Sequence, residues 1–122
     1  MIVKDPGHMY WLEQLDEGKD PAWDEVELRF VKREGKPYAG TTTQDVIRVL
    51  IDRTKYVDSK EFHINNHSAI YHLRQALMLF ESQAAEGRGD QKAMIAISNM
   101  GTIEDVPTCA ACGHILCSEK HE

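Results

Sequence analysis

Three cysteines and two histidines lie close together near the end of the chain, in the stretch CAACGHILCSEKHE. Two residues separate the first two cysteines, and four separate the second from the third. Zinc prefers a tetrahedron of thiolates and imidazoles, and Gly113 permits the tight turn that a Cys-x2-Cys pair makes around a metal. This spacing, close to that of a zinc knuckle, predicts one structural zinc ion. The predicted ligands are Cys109, Cys112, Cys117 and either His121 or His114.

Two other interpretations of the cysteine segment stay open from the sequence alone. The segment could be a disordered tail that binds no metal, or its Cys-x2-Cys pair could be a redox-active dithiol. If zinc does bind, we expect a chelator to loosen the tail alone, because the rest of the chain has apolar residues for its own core.

A second group of residues that could bind a ligand lies in the stretch YVDSKEFHINN, between two long helical patterns. An aromatic ring such as that of Tyr56 can stack on a purine, and the amide of Asn66 can bond to an adenine edge. The start of a helix adds free backbone N–H groups beside a phosphate. Together they predict a pocket for a small nucleotide. The alternative is that Asn66 is a plain N-cap and that Tyr56 closes the end of a hairpin core.

The distribution of charge favours a small anionic ligand over a long nucleic acid. The net charge is -6 at pH 7, and an acidic surface repels an extended phosphate backbone. Lys and Arg are nevertheless concentrated between residues 29 and 60, where Arg29, Lys32 and Arg33 follow one another closely. This segment is either an anion-binding patch or an ordinary solvated face.

The elements that must position these residues indicate an α+β fold. Apolar and polar residues alternate in MYWLEQL and in VELRFVKR, which predicts two β-strands. The segment DEGKDPAWDE between them predicts a loose loop. Apolar residues then recur at helical spacing from about residue 43 to 57. A second helix begins after an N-cap at Asn65 or Asn66 and ends at the glycines of EGRG. The short connection predicts an antiparallel two-helix hairpin, and KAMIAIS beyond it fits either a strand or a helical turn.

We expect one compact domain with a small β-sheet region (1–40), a helical hairpin (41–90) and a tail with the Cys/His knuckle (91–122). The apolar residues of the two helices exceed what one seam between them can cover, so the chain is predicted to form a homo-oligomer. No stretch approaches the roughly 18 apolar residues of a membrane span, and no signal peptide is apparent. A cytoplasmic protein with reduced cysteines is therefore expected.

The sequence also predicts that the chain is not an enzyme. Catalysis would need a nucleophile beside a base, paired carboxylates, or a metal with an open position. Ser68 and His72 are four residues apart on a predicted helix, which is a common surface pair, and no third group orients them.

Three phrases resemble a family of small phage and prophage proteins: GHMYWLEQLD, LRFVKREGKPYAGTTTQDVIRVLIDRTKYV and NNHSAIYHLRQALMLFESQAAEGR. Their helical part also resembles the hairpin of phage anti-Thoeris and anti-CBASS nucleotide sponges, which are non-enzymatic oligomers that sequester signalling nucleotides of bacterial immunity. The resemblance to the phage and prophage family covers residues 7 to 88, whereas the resemblance to the sponges rests on the hairpin pattern alone. The resemblance to the sponges implies an anti-defence protein of the bacterial host cytoplasm that binds a cyclic oligonucleotide or a cyclic ADP-ribose isomer without hydrolysing it.

The resemblance also implies ligand-binding positions. The aromatic near the end of the first helix is Tyr56, with Val57 at the nearest aligned position, and the asparagine that begins the second helix is Asn66. Gln83 stands where the pattern has an arginine, so phosphate binding would depend on other basic residues. Within the hairpin, Arg53, Arg74 or Arg88 could substitute for that arginine. Separately from the resemblance, we expect the basic residues Arg29, Lys32 and Arg33 of a neighbouring subunit to complete the pocket.

A second class of function follows from the cysteine segment, which lies outside the resemblance. The chain could be a non-enzymatic oligomeric adaptor that uses the zinc knuckle to contact a protein or a nucleic acid and the hairpin to self-associate.

Overall fold

The structure is a computed structural model that describes residues 1–15 and 25–117 of the 122-residue chain. It confirms the predicted α+β fold, in which an antiparallel sheet precedes the helices. The residues form two compact units, one from Met1 to Thr42 and one that begins at Thr43. The elements are β1 (Ile2–Asp5), β2 (Met9–Glu13), β3 (Glu25–Arg29), α1 (Thr43–Lys60), α2 (Ile64–Gly87), α3 (Gln91–Ser98) and a 3-10 helix (Ile103–Asp105).

The first unit contains a three-stranded antiparallel sheet in the order β1-β2-β3. The two predicted strands are β2 and β3, and Tyr10 pairs with both Val3 and Leu28. Strand β1 was not predicted because its four residues, IVKD, are too few to show an alternating pattern. The loop predicted between β2 and β3 falls mainly on residues 16–24, outside the described residues.

The basic segment after β3 folds back within the first unit. Lys32 exchanges two backbone hydrogen bonds with Tyr38, and Gly40 lies so close to the strand that a Cβ there would be 2.5 Å from the carbonyl oxygen of Arg29. Asp5 accepts hydrogen bonds from Lys32 Nζ at 2.8 Å and from the Tyr38 hydroxyl at 2.6 Å. Desolvation and the bond to Asp5 raise the pKa of Tyr38 to about 12.

Helix α1 begins at Thr43, as predicted, and continues to Lys60, three residues past the predicted end. Its buried residues are Gln44, Ile47 and Ile51, which share one face at helical spacing. The last turn, DSK, carries no apolar residue, so periodicity alone could not extend the helix through it.

Helix α2 runs from Ile64 to Gly87 and is capped by His63, not by Asn65 or Asn66 as predicted. His63 has an extended backbone, and its Nδ1 accepts a hydrogen bond from the Asn65 N–H at 3.0 Å. The imidazole thus does what an asparagine N-cap would do, and both asparagines lie inside the first turn. Gly89, with a φ of 68°, follows the helix as the glycine-rich sequence predicts.

The segment KAMIAIS forms helix α3, which Asp90 caps by accepting a hydrogen bond from the Ala93 N–H.

Ile103 and Ile115, from the region predicted to be a tail, are fully buried with the helices. Among the described helices, none combines the length and the hydropathy that crossing a membrane requires. The core consists of Ile47, Ile51, Ile70, Leu77, Ala85, Ala93, Ile97, Ile103 and Ile115.

Candidate metal centre

The three cysteines predicted to bind zinc come together in the second unit. The sulfur atoms of Cys109, Cys112 and Cys117 all lie within 4.8 Å of one another, and the three residues are partly buried and not joined by disulfides. In a tetrahedral zinc site the sulfur atoms are about 3.8 Å apart, as follows from a Zn–S bond of about 2.3 Å. The limit of 4.8 Å on the separations between the three sulfur atoms is compatible with this spacing.

Local backbone geometry explains how a short segment gathers three thiols. The Gly113 N–H donates to the Cys109 carbonyl at 2.7 Å, and the Cys109 N–H donates to the His114 carbonyl at 2.8 Å. Gly113 has a φ of 76°, which glycine adopts without strain. Leu116 has a φ of 53°, which is uncommon for a residue with a side chain, and Cys117 follows it directly.

The same turn prepares one thiol for metal binding. Backbone N–H groups of Cys112 and Ala111 point at the Cys109 sulfur and lower the pKa of Cys109 to about 7. Burial raises the pKa of Cys112 above its ordinary value. One thiolate is thus readily formed near neutral pH, and a metal ion would displace the remaining protons as it binds.

Three side chains of the helical hairpin hold the cysteine segment in place. The Glu81 carboxylate is fully buried; it accepts a hydrogen bond from the Ile115 N–H at 3.0 Å and from Arg48 Nη2 at 3.2 Å. Gln44 Nε2 lies 3.1 Å from His114 Nδ1. Residues from both α1 and α2 therefore position the loop that carries the thiols.

The structure describes one of the two histidines predicted as alternative fourth ligands and places it outside the thiol cluster. His114 is not part of the group of atoms within 4.8 Å, and its Nδ1 faces Gln44. His121 lies outside the described residues. Of the four ligands expected for zinc, the described residues bring together the three thiols.

At the hairpin bend, Asn66, which was predicted to bind a nucleotide, shares a carboxylate with two histidine residues. Asp58 accepts hydrogen bonds from the His63 N–H at 3.0 Å, Asn66 Nδ2 at 3.2 Å and His67 Nε2 at 2.9 Å. The His63 N–H contributes most to lowering the pKa of Asp58 below its ordinary value. The amide nitrogen of Asn66 thus helps to join the two helices.

Tyr56 is 55% exposed on α1 and has two cations beside its ring. The Arg53 guanidinium is 5.8 Å and Lys60 Nζ 5.3 Å from the ring centroid. Among the predicted ligand residues, Tyr56 and Arg53 are therefore close together. Val57 is partly exposed on the same helix, and Gln83 is exposed on α2.

The other predicted phosphate ligands have different surroundings. Arg74 donates to both oxygens of Glu104, and Lys55 Nζ lies 2.8 Å from the same carboxylate. Burial would raise the pKa of Glu104, but the hydrogen bonds from Arg74 and Lys55 outweigh it and hold the pKa at about 2. In the first unit, Lys32 is paired with Asp5, whereas Arg29 and Arg33 are exposed.

Sequence reasoning missed the buried polar contacts of Gln44, Arg48 and Glu81. A signal for Glu81 is present, because Leu77, Glu81 and Ala85 continue one face of α2 at a spacing of four residues. An acidic residue that interrupts an apolar face in this way indicates a paired, buried carboxylate.

Comparisons with protein-family models, with curated proteins and with solved structures each find no match for this chain. The resemblance to phage proteins and nucleotide sponges therefore stays a prediction from sequence, and the metal centre is the strongest basis for proposing a function.

Proposed function

We propose that the chain is a non-enzymatic adaptor protein whose helical unit is held together by one structural zinc ion. The observation that supports this function is the placement of three reduced thiols within 4.8 Å of one another. Thiolate ligands favour zinc over hard cations such as calcium or magnesium, and zinc accepts tetrahedral geometry without preference from d electrons. His121 or His114 would supply the fourth ligand.

In this proposal the metal stabilises a surface that a partner can bind. Small domains with a limited core commonly rely on a bound metal for stability. Zinc would join both ends of the segment from Cys109 to Cys117 and keep Ile115 in the core. Ala110, Ala111 and Leu116 are exposed on the same loop and would form an apolar contact surface for a protein or a nucleic acid.

Metal analysis of reduced, purified protein tests the proposal. We expect one zinc per chain, and cobalt substitution should give the visible absorption of a tetrahedral thiolate site. Serine at Cys109, Cys112 or Cys117 should reduce bound metal, whereas His72→Ala, which changes an exposed histidine on α2, should not. Comparing His114→Ala with His121→Ala identifies the fourth ligand. Reduced protein that contains no zinc and does not take up cobalt would contradict the proposal.

A second candidate function, the sequestration of a small signalling nucleotide, is supported by the surroundings of Tyr56. Its exposed ring could stack on a base while Arg53 and Lys60 neutralise a phosphate. A panel of cyclic dinucleotides, cyclic trinucleotides and cyclic ADP-ribose isomers should then raise the melting temperature. Tyr56→Ala should abolish that increase, and Tyr71→Ala, a similarly exposed tyrosine on α2, should preserve it. No shift with any member of the panel would exclude sequestration of these ligands.

A further inference from the structure

Helix α1 has apolar residues on its outward face as well as on its core face. Ile47 and Ile51 are buried, whereas Val49, Leu50 and Tyr56 are 64%, 46% and 55% exposed. With Arg53 and Val57 they occupy positions 49, 50, 53, 56 and 57, whose steps of three and four residues are typical of a helix that pairs with another helix. We call the row formed by Val49, Leu50, Arg53, Tyr56 and Val57 the outer seam.

Two opposite charges lie at and beside the middle of the outer seam: Arg53 is its central residue, and Asp52 is on its flank. Asp52 and Arg53 are both exposed, and neither forms a salt bridge with any residue in the described ranges. Neighbouring residues on a helix point about 100° apart, so these two side chains cannot easily satisfy each other. A second helix laid along the seam could pair with both.

We propose that the outer seam binds the outer seam of a second copy of this chain, with the two α1 helices antiparallel and a two-fold axis at Arg53. The seam is symmetric about that residue, because positions 49 and 50 precede it by the same steps by which 57 and 56 follow it. Val49 then faces Val57 of the second copy, and Leu50 faces its Tyr56. Such self-complementarity is what a two-fold interface requires.

Charge complementarity supports the antiparallel arrangement. By the same symmetry the two Arg53 residues meet at the axis, and Asp52 of the other copy flanks each of them. The two reciprocal pairs between Arg53 and Asp52 would offset the contact between the two arginines. Lys60, at the end of α1, approaches the acidic first turn of the other helix, where the Asp45 side chain is 52% exposed. The antiparallel arrangement also brings the positive end of each helix dipole to the negative end of the other.

The length of the seam implies a weak dimer. From Val46 to Lys60 a helix rises about 21 Å, and one such contact covers less surface than the roughly 800 Å² per partner of a standard interface. The seam faces away from Ile47 and Ile51, so this dimer does not depend on the metal centre or on the function proposed for it.

Sedimentation velocity of the full chain as purified under reducing conditions, from low micromolar to several hundred micromolar, tests the interface. The wild type should change from monomer to dimer over this range. Leu50→Glu should weaken the dimer roughly tenfold or more, because it places an unpaired carboxylate against an apolar side chain. Leu79→Glu is the matched control, since Leu79 is 70% exposed on α2 and lies outside the seam; it should dimerise like the wild type.

Exchanging the charges at positions 52 and 53 distinguishes a specific interface from non-specific association. Asp52→Lys alone gathers four cations at the axis, and Arg53→Glu alone gathers four anions, so each should weaken the dimer. Combining the two substitutions in one chain exchanges the signs at both positions, which restores two opposite-charge pairs across the axis, and this double variant should dimerise again. A wild type that stays monomeric, a Leu79→Glu variant that dissociates while Leu50→Glu does not, or a double variant weaker than both single ones would overturn the proposal.

Discussion

The carboxylate of Glu81 accepts a hydrogen bond from the backbone N–H of Ile115 at 3.0 Å, in a region from which solvent is excluded. This contact joins the middle of helix α2 to the segment that carries the three thiols. The Ile115 side chain is itself fully buried in the core. The cysteine segment and the helical hairpin are therefore parts of one packed unit. A substitution in either part should alter the stability of the other.

Replacement of Glu81 should strongly destabilise the second unit. Glu81→Gln removes the buried countercharge of Arg48 and leaves the guanidinium with the half-exposed carboxylate of Asp45, 3.5 Å from Nη1. Breaking a buried pair from one side typically costs about 3 to 5 kcal/mol, and the remaining contact with Asp45 should keep the loss towards the lower end of that range. Urea denaturation of the variant and the wild type measures the difference. Glu86→Gln, which changes an exposed acid on the same helix, should alter stability by less than about 0.5 kcal/mol. Equal midpoints for Glu81→Gln and the wild type would show that the buried pair contributes little.

Removal of the metal should affect the core and not the cysteine loop alone. The sequence predicts that a chelator loosens only a tail, but Ile103 and Ile115 are both fully buried with Ile51 and Leu77. Freeing the loop would expose Ile115 and deprive Glu81 of its backbone donor, which should weaken the packing of α1 and α2. Hydrogen exchange of the zinc-loaded protein, with and without chelator, is the measurement. We expect faster exchange at the amides of Ile51 and Leu77 when the chelator is present. Unchanged protection at both residues would instead support the sequence-based prediction that a chelator loosens the tail alone.

The helices could be predicted because their apolar residues recur over many turns, whereas shorter features carried too little pattern. Strand β1 has four residues, two of which, Ile2 and Val3, are about half exposed at the edge of the sheet. The cap of α2 was placed at an asparagine because asparagine usually caps helices, yet the preceding His63 has the extended backbone that a cap needs.

The candidate site could be predicted only in part for a similar reason. The thiols were found because Cys-x2-Cys spacing is short-range and depends on local turn geometry. Glu81 was missed because its partners, Arg48 and Ile115, are more than thirty residues away in the chain. The spacing of Leu77, Glu81 and Ala85 indicates that Glu81 is buried, but one sequence does not identify the partners of its carboxylate.

Stability should fall in acid because of Glu104, whose side chain is 6% exposed and contacts both Arg74 and Lys55. Its pKa is about 2 in the folded protein and 4.5 ordinarily. A lowered folded pKa stabilises the protein above the unfolded pKa, and that contribution, of about 3 kcal/mol, is lost as pH falls from about 4.5 towards 2. Metal-free wild type and Glu104→Gln should therefore differ most in unfolding free energy above about pH 5 and converge near pH 2. Parallel pH curves for the two proteins would contradict this assignment.

Asp58 should be the residue on which the hairpin bend depends most. It accepts three hydrogen bonds, from the His63 N–H, Asn66 Nδ2 and His67 Nε2, whereas Asn66 contributes only one of them. Asp58→Ala removes the acceptor of all three bonds, whereas Asn66→Ala removes one donor. Asp58→Ala should therefore lower the free energy of unfolding by more than Asn66→Ala does, although water can reach the exposed donors and limits the loss in both variants. Glu61→Ala, which changes an exposed acid beside the bend, is the control and should be nearly neutral.

The same region separates a structural role of Asn66 from ligand binding. Asn66→Ser removes the amide that would bond to a base edge, and Asp58→Ala leaves that amide in place while loosening the bend. If Asn66 only helps to join the helices, Asn66→Ser should lose less stability than Asp58→Ala, and neither change should alter the calorimetric response to cyclic nucleotides. If Asn66 also reads a base, Asn66→Ser should weaken nucleotide binding by about 1 to 3 kcal/mol at a temperature where the protein remains folded, because an unpaired polar edge would be left in the pocket. Loss of binding in Asn66→Ser with full folding, measured by circular dichroism on the same samples, would favour the nucleotide-sequestering function over the adaptor.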